Sequence, residues 1–95
     1  MAAYIHASVE VTDPVAFEDY RVRVPAVVAL YGGRYLVRGG ASEVLEGDTL
    51  PQRVVIVEFP DMAGLKAFYH SPEYAPLLAI RRRAARSSLV VIEGV

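Results

Sequence analysis

The stretch AYIHASVEV, residues 3–11, decides the fold because its side chains alternate strictly between two kinds. Apolar side chains take the odd positions, and the even positions carry Tyr4, His6, Ser8 and Glu10. A period of two residues is typical of a β-strand that packs one side against a core. The stretch therefore predicts a first strand with its odd-numbered side chains turned inward.

A long helix is predicted directly after this strand. Asp13 is a typical N-cap, and Pro14 fits the first helical turn without losing a hydrogen bond. The glycine pair at 32–33 predicts the end of the helix, since glycine tolerates the left-handed cap conformation. Pro25 deletes one backbone donor, so we expect one kinked helix and not two separate helices.

The remaining chain predicts further strands and helices. They are a strand at 34–38, a short extended piece at 43–46, a turn-rich connection at 47–51, a strand at 53–59, a helix capped by Asp61, a helical stretch from Glu73 to about Ala85, and a strand at 89–93. This order is the split βαβ arrangement of α+β proteins, βαββαβ, with a four-stranded antiparallel sheet and the helices on one face. A chain of 95 residues has room for one core, so we expect a single domain over residues 1–95.

The later strands carry apolar side chains on both sides, as in residues 54–57 and 89–92. The sheet face turned away from the helices, here called the open face, would then stay uncovered. Leaving about eight apolar side chains exposed to water would lose on the order of 10 kcal/mol of burial free energy. That rivals the whole stability of a small domain, about 5–15 kcal/mol. We therefore expect a homodimer in which two copies pack sheet against sheet.

Composition excludes several classes of function. The absence of cysteine excludes disulfides, thiolate nucleophiles and iron–sulfur clusters. Ten basic and eleven acidic residues give a net charge of −1, so we expect no nucleic-acid partner. The run of Arg81, Arg82, Arg83 and Arg86 is typical of a solvated helix end. No stretch approaches the roughly 20 apolar residues of a membrane span, and no secretory signal pattern occurs, so we expect no membrane partner and a cytoplasmic location.

Several short motifs resemble a known family. They are Thr12-Asp13-Pro14, Tyr20, GGRYLVRGG at 32–40, Glu46-Gly47, RVVIVEFP at 53–60 and Ser71-Pro72-Glu73-Tyr74. With these motifs the chain resembles domain of unknown function 1330 over nearly its whole length. The resemblance implies a ferredoxin-like fold of the dimeric α/β-barrel group. That group includes cofactor-free monooxygenases, haem-degrading enzymes, lactone isomerases and dehalogenase-like proteins, so the fold does not supply a reaction.

Strand parity predicts that His6, Arg38 and Glu58 share the open face and converge inside the barrel of the dimer. The His6 imidazole is a candidate general acid or base. Arg38 is a candidate clamp for a carboxylate or enolate oxygen, and Glu58 a candidate orienting carboxylate. A structural role is the alternative, in which these buried polar groups pair across strands or across the dimer interface.

Tyr20, Tyr69 and Tyr74 fall near apolar helical stripes and are candidates for the wall of a substrate pocket. Packing in the core with a satisfied hydroxyl is the alternative. His70 stands where haem-degrading relatives of the fold place an axial ligand, yet the chain has no tryptophan and a proline follows two positions later. Two distant histidines do not specify a metal either. We expect no cofactor and no metal.

Two hypotheses about function remain open at this point. The first is a cofactor-free enzyme or binder that acts on an acidic or carbonyl-bearing metabolite by proton transfer or oxygenation. The second is a non-catalytic homodimeric module whose polar residues on the open face fix the register of the dimer. A solvent-connected cavity of about 300 Å³ beside His6 favours the first hypothesis, because ligand sites usually have at least that volume.

Overall fold

The alternating segments form one antiparallel sheet with all helices on one side. The computed structural model describes residues 1–49 and 52–95. Its elements are β1 (Ala3–Val11), α1 (Pro14–Leu30), β2 (Arg34–Arg38), β3 (Arg53–Phe59), α2 (Met62–Tyr69), α3 (Ala75–Ala84) and β4 (Ala85–Glu93). The strand order is β2-β3-β1-β4, so the first strand lies in the interior of the sheet. The predicted α+β class and the ferredoxin-like topology are confirmed, with the second helical region divided into α2 and α3.

The core lies between the sheet and the helices. Ala3, Ile5, Ala7 and Val9 of β1 are buried there, as their odd positions predict. They pack with apolar side chains from β3, from the three helices and from the residue that precedes α3: Phe17, Val24, Val28, Val57, Phe59, Leu65, Phe68, Tyr74 and Leu77. None of the helices in the described part of the chain is long and apolar enough to traverse a bilayer.

The helix boundaries follow the predicted capping residues. The Asp13 carboxylate accepts a hydrogen bond from the Ala16 backbone amide, and α1 runs as a single helix through Pro25. Gly32 follows the helix with φ +81°, a left-handed conformation in which glycine is the least strained residue. The Ser71 hydroxyl donates to the Phe68 carbonyl and accepts from the Tyr74 amide, which joins α2 to α3.

One predicted boundary is wrong. The short extended piece at 43–46 joins no strand of the described sheet, and its Val44 and Leu45 are exposed. The last strand begins at Ala85 and not at Leu89, since β1 offers pairing partners as far as Val11. Pairing with β1 therefore holds residues 85–88 in the strand, although their composition alone does not indicate one. Leu50 and Pro51 of the predicted turn connection lie outside the described residues.

The pairing of β2 with β3 contains a register shift. Arg34 lies opposite Glu58 and Tyr35 opposite Val57, but the next pairs are Val37 with Ile56 and Arg38 with Val55. The extra residue is Leu36, which has no partner on β3. A bulge of this kind moves every later side chain of the strand to the other face of the sheet.

Gly33 offers a direct test of the packing between α1 and the sheet. A Cβ at this position would lie 2.7 Å from the Phe59 ring and 2.8 Å from Val28. We predict that Gly33→Ala lowers the free energy of unfolding by about 1–3 kcal/mol through overpacking. Gly40 has no heavy atom within 4 Å of such a Cβ, so Gly40→Ala is the matched control and should change stability by less than about 0.5 kcal/mol. Urea denaturation measures both, and equal effects would contradict this account of the packing.

Candidate functional site

The sheet separates the three predicted catalytic residues. His6 and Glu58 lie on the open face, as strand parity predicts. Arg38 does not, because the shift at Leu36 places it opposite Val55 on the side of the helices. The expected convergence of His6, Arg38 and Glu58 is therefore wrong within one protomer. The regular alternation of residues 34–38 gives no sign of the extra residue.

Glu58 is the centre of a small polar network on the open face. Its Oε1 accepts from Arg34 Nε at 2.6 Å and its Oε2 accepts from the Tyr4 hydroxyl at 3.0 Å. The hydrogen bond from Arg34, followed by that from Tyr4, holds the pKa of the Glu58 carboxyl below its usual range. Glu58 is thus ionised and already paired at neutral pH, which suits an orienting or structural role better than that of a general base.

His6 lies in an apolar part of the open face. Its direct neighbours across the sheet are Ile56 on β3 and Val90 on β4. It lines none of the three cavities described below. None of these three cavities therefore accompanies the candidate base in one protomer.

A cavity with apolar walls and four arginines lies on the other side of the sheet, between the strands and the helices; we call it the inner cavity. Its volume is about 60 Å³. Apolar side chains of the core form its floor. Its polar lining consists of Tyr20, Arg21, Tyr35, Arg38, Arg53, Tyr74 and Arg81. No carboxylate belongs to the described lining, so its charge is entirely positive.

Arg38 is held in the inner cavity by α1. Its guanidinium donates to the backbone carbonyl of Arg21 and lies 4.9 Å from the centre of the Tyr35 ring. In a regular helix that carbonyl would accept from the amide of residue 25, but Pro25 has none. The proline therefore frees an acceptor that positions Arg38 without neutralising its charge.

The other three arginines differ in their partners. Arg21 is paired with Glu18, with an N–O distance of 2.6 Å. Arg53 lies 5.7 Å from the centre of the Phe17 ring, and its Nε has no hydrogen-bond partner. Arg81 Nε is also unpartnered. Among the described residues, neither Arg53 nor Arg81 forms an ion pair.

Two of the predicted wall tyrosines meet in the inner cavity. The Tyr20 and Tyr74 hydroxyls lie 2.9 Å apart and share a hydrogen bond. Burial, and to a lesser extent the neighbouring Tyr74, raises the pKa of Tyr20 well above its usual value. The Tyr20 hydroxyl therefore stays neutral and can donate or accept a hydrogen bond. Tyr69 lines a different, edge groove of about 280 Å³ together with Ile5, Leu65, Lys66, His70, Leu89 and Val91. A third cavity of similar size is lined by Ser8, Glu10, Gln52, Arg86, Ser87 and Ser88.

Arg53 and Arg81 also line the inner cavity, and the sequence analysis proposed neither of them as a site residue. Arg81 was expected at a solvated helix end with Arg82, Arg83 and Arg86; those three are exposed, but Arg81 is only 7% exposed. A signal was present in the sequence. Positions 74, 77, 81 and 84 recur at helical spacing, and the other three positions carry Tyr, Leu and Ala. This spacing turns Arg81 toward the core. Across residues 1–49 and 52–95, no three His, Asp or Glu side chains cluster as a metal site would require.

A four-stranded antiparallel sheet covered by helices on one face, with an arginine-lined cavity between the layers, defines a ferredoxin-like α+β protein. The sequence also assigns the protein to a family. The chain belongs to the family described as Domain of unknown function (DUF1330), whose model matches residues 2–95. The resemblance seen in the motifs is thereby confirmed.

Solved structures share this fold at low sequence identity. A protein of unknown function from Rhodopseudomonas palustris is 19% identical, with a TM-score of 0.79 over 99% of this chain and 82% of that chain. SnoaB from Streptomyces nogalater, a cofactor-independent oxygenase, is 18% identical, with a TM-score of 0.72 over 99% and 93%. A dimeric ferredoxin-like protein of unknown function from Jannaschia sp. is 14% identical, with a TM-score of 0.72 over 99% and 100%. No curated protein matches the chain significantly.

The hydroxyl pair in the inner cavity yields a prediction about stability. Tyr74 is only 2% exposed, so Tyr20→Phe leaves the Tyr74 hydroxyl buried without the Tyr20 hydroxyl as a partner. We predict that this change lowers the free energy of unfolding by about 1–3 kcal/mol. Tyr20→Phe/Tyr74→Phe removes both groups and should cost less than the sum of the single changes, as a double-mutant cycle in urea would show. Tyr31→Phe is the control, since Tyr31 makes an exposed hydrogen bond to Glu73. Strictly additive losses would contradict the pairing.

Proposed function

We propose that this protein is a homodimer that binds an acidic or carbonyl-bearing metabolite in the inner cavity. Any chemistry there is loss of a proton from the ligand to solvent hydroxide, since no carboxylate or imidazole belongs to the described lining, or oxygenation of the carbanion that results; the arginines stabilise the negative charge that develops. In the oxygenation case the electrons come from the ligand's own carbanion and the oxidant is O₂. The site residues are then Arg38, Tyr20 and Tyr74, with Arg53 and Arg81 added.

One observation carries the proposal: an apolar cavity whose charged lining is all arginine. Guanidinium groups match planar oxyanions such as carboxylates and enolates through paired donors. Arg38 is positioned by a backbone carbonyl and not by a carboxylate, so its charge stays available to a ligand. The fold shared with a cofactor-independent oxygenase is compatible with chemistry that needs no bound group, although it does not identify the reaction.

The dimer part of the proposal rests on the open face. Its apolar side chains are Leu36, Val37, Val54, Ile56, Val90 and Ile92. Val90 and Ile92 are 53% and 50% exposed, although they lie on a strand that pairs along its whole length. A second copy seated on this face would bury these side chains together with His6. The dimeric state of a protein with the same fold supports this arrangement. In it, His6 and Glu58 serve the interface, whereas the ligand occupies the opposite side of the sheet.

A non-catalytic dimeric module is the second candidate, and the size of the inner cavity favours it. A volume of about 60 Å³ is well below the roughly 300 Å³ of ordinary ligand sites. The two candidates differ in whether a small molecule binds at all, so ligand binding is measured first and oxygen consumption second.

The dimer is tested by placing a charge on the open face. We predict that Ile56→Asp converts the dimer into monomers, because an unpaired carboxylate would be buried at the interface. Val22→Glu is the matched control, since Val22 is exposed on the outer side of the helices. Sedimentation of both variants at low micromolar concentration gives the answer. A folded wild-type monomer under those conditions would contradict the proposed dimer.

The ligand site is tested by two variants, one at Arg38 and one at His6. We predict that short-chain and aromatic carboxylates raise the Tm of the wild type, that Arg38→Ala abolishes this shift, and that His6→Ala retains it. The reason is that the sheet separates the two residues. Ligands that produce a shift are then tested for oxygen consumption in an oxygen electrode. Loss of the shift in His6→Ala, with the dimer intact, would return the site to the open face.

A further inference from the structure

We propose that Arg81 is the anchor of the inner cavity and that the ligand enters carboxylate first, with the rest of the molecule held toward the surface. This inference rests on the proposed ligand site and adds the chemical group that the site recognises. It also assigns the role to a residue that lies outside the motifs.

The surroundings of Arg81 do not satisfy its charge. The side chain belongs to a residue that is 7% exposed, its Nε has no hydrogen-bond partner, and no carboxylate of the described residues pairs with it. It also does not stack on an aromatic ring in the way that Arg38 stacks on Tyr35. The guanidinium donates a hydrogen bond to the Tyr74 hydroxyl, which is neutral, so the buried cation has no counter-charge among the described residues. A buried cation without a counter-charge is costly, and an anion in the cavity would supply that charge.

The size of the cavity selects the part of the ligand that enters. A cavity of about 150 Å³ takes a benzene ring, so about 60 Å³ has room for a group of a few atoms and none for a ring. A carboxylate fits this description and offers two oxygens to a guanidinium. The Tyr20 and Tyr74 hydroxyls lie beside Arg81 and supply further neutral polar groups.

The remaining arginines explain how an anion reaches this position. Arg38 and Arg53 are both half-buried, so the inner cavity opens to the surface on their side. Neither forms an ion pair with a carboxylate of the described residues, although Glu18, which pairs with Arg21, lies near enough for Arg38 and Arg53 to contribute to the lowering of its pKa. Together they make a positive entrance that attracts an anion toward the more deeply buried Arg81. The body of the ligand then remains near the Tyr35 ring, which is partly exposed and lies against Arg38.

The wild type itself tests the recognition of the carboxylate. Acetate, butyrate and benzoate are compared with acetamide, butyramide and benzamide at equal concentration and at constant ionic strength. We expect the three acids to raise the Tm and the three amides to leave it unchanged. Nuclear magnetic resonance should place the largest acid-induced shifts at Arg81 and Tyr74.

Arg81→Met tests the anchor, with Arg82→Met as the matched control. Arg82 is exposed on the same helix and does not line the cavity. Methionine keeps the length of the side chain and removes the buried charge. We expect the ligand-free Arg81→Met protein to melt about 4–8 °C above the wild type and to lose the response to all three acids. Arg82→Met should match the wild type in both respects.

The possible failures point to different errors. If neither acids nor amides affect the wild type, the proposed ligand site is wrong together with its anchor. If acids and amides raise the Tm equally, or if Arg81→Met keeps the response to acids, a ligand site exists but Arg81 is not its anchor. If Arg81→Met does not fold, Arg81→Lys keeps a positive charge and should keep a weakened preference for acids over amides. Loss of that preference in a folded Arg81→Lys protein would contradict a charge-based anchor.

Discussion

One extra residue in β2 determines on which side of the sheet Arg38 lies. In a regular pairing with β3, Arg38 would follow Arg34 onto the open face, where it would meet His6 and Glu58. The unpaired Leu36 shifts the register, so Arg38 faces α1 instead. Because side chains alternate with a period of two, a single inserted residue is enough to reverse the face. The inner cavity receives a cation from the sheet for this reason.

A second local irregularity completes the placement of Arg38. Pro25 removes one amide from the ladder of α1, and the carbonyl of Arg21 that this leaves free accepts from the Arg38 guanidinium. A bulge in a strand and a proline in a helix thus meet at one side chain. A proline inside a helix costs about 3 kcal/mol by itself. Together the two features hold Arg38 beside an apolar cavity without an ion pair to a carboxylate of the described residues.

The fold was predictable from the sequence because it follows from periodicity. The alternation in β1, the capping by Asp13 and Asp61 and the break at Ser71 all act within a few residues. The site was predictable only in part. Helical spacing placed Tyr20 and Tyr74 beside the core, where they line the inner cavity, whereas Arg38 was placed on the wrong face because a bulge depends on pairing with another strand. Arg81 was misread because a run of four arginines suggests a solvated surface, although its spacing from Tyr74 and Leu77 pointed inward.

The two sides of the sheet also differ in whether their charged side chains have partners. On the open face, Glu58 is already hydrogen-bonded by Arg34 and Tyr4, so this face can pack against a second copy without leaving that carboxylate bare. On the helix side, Arg53 and Arg81 lack a counter-charge among the described residues. Folding completes the first set and leaves the second incomplete. A ligand that supplies the missing anion would therefore bind the folded chain in preference to the unfolded one, and its binding would stabilise the fold that creates the site.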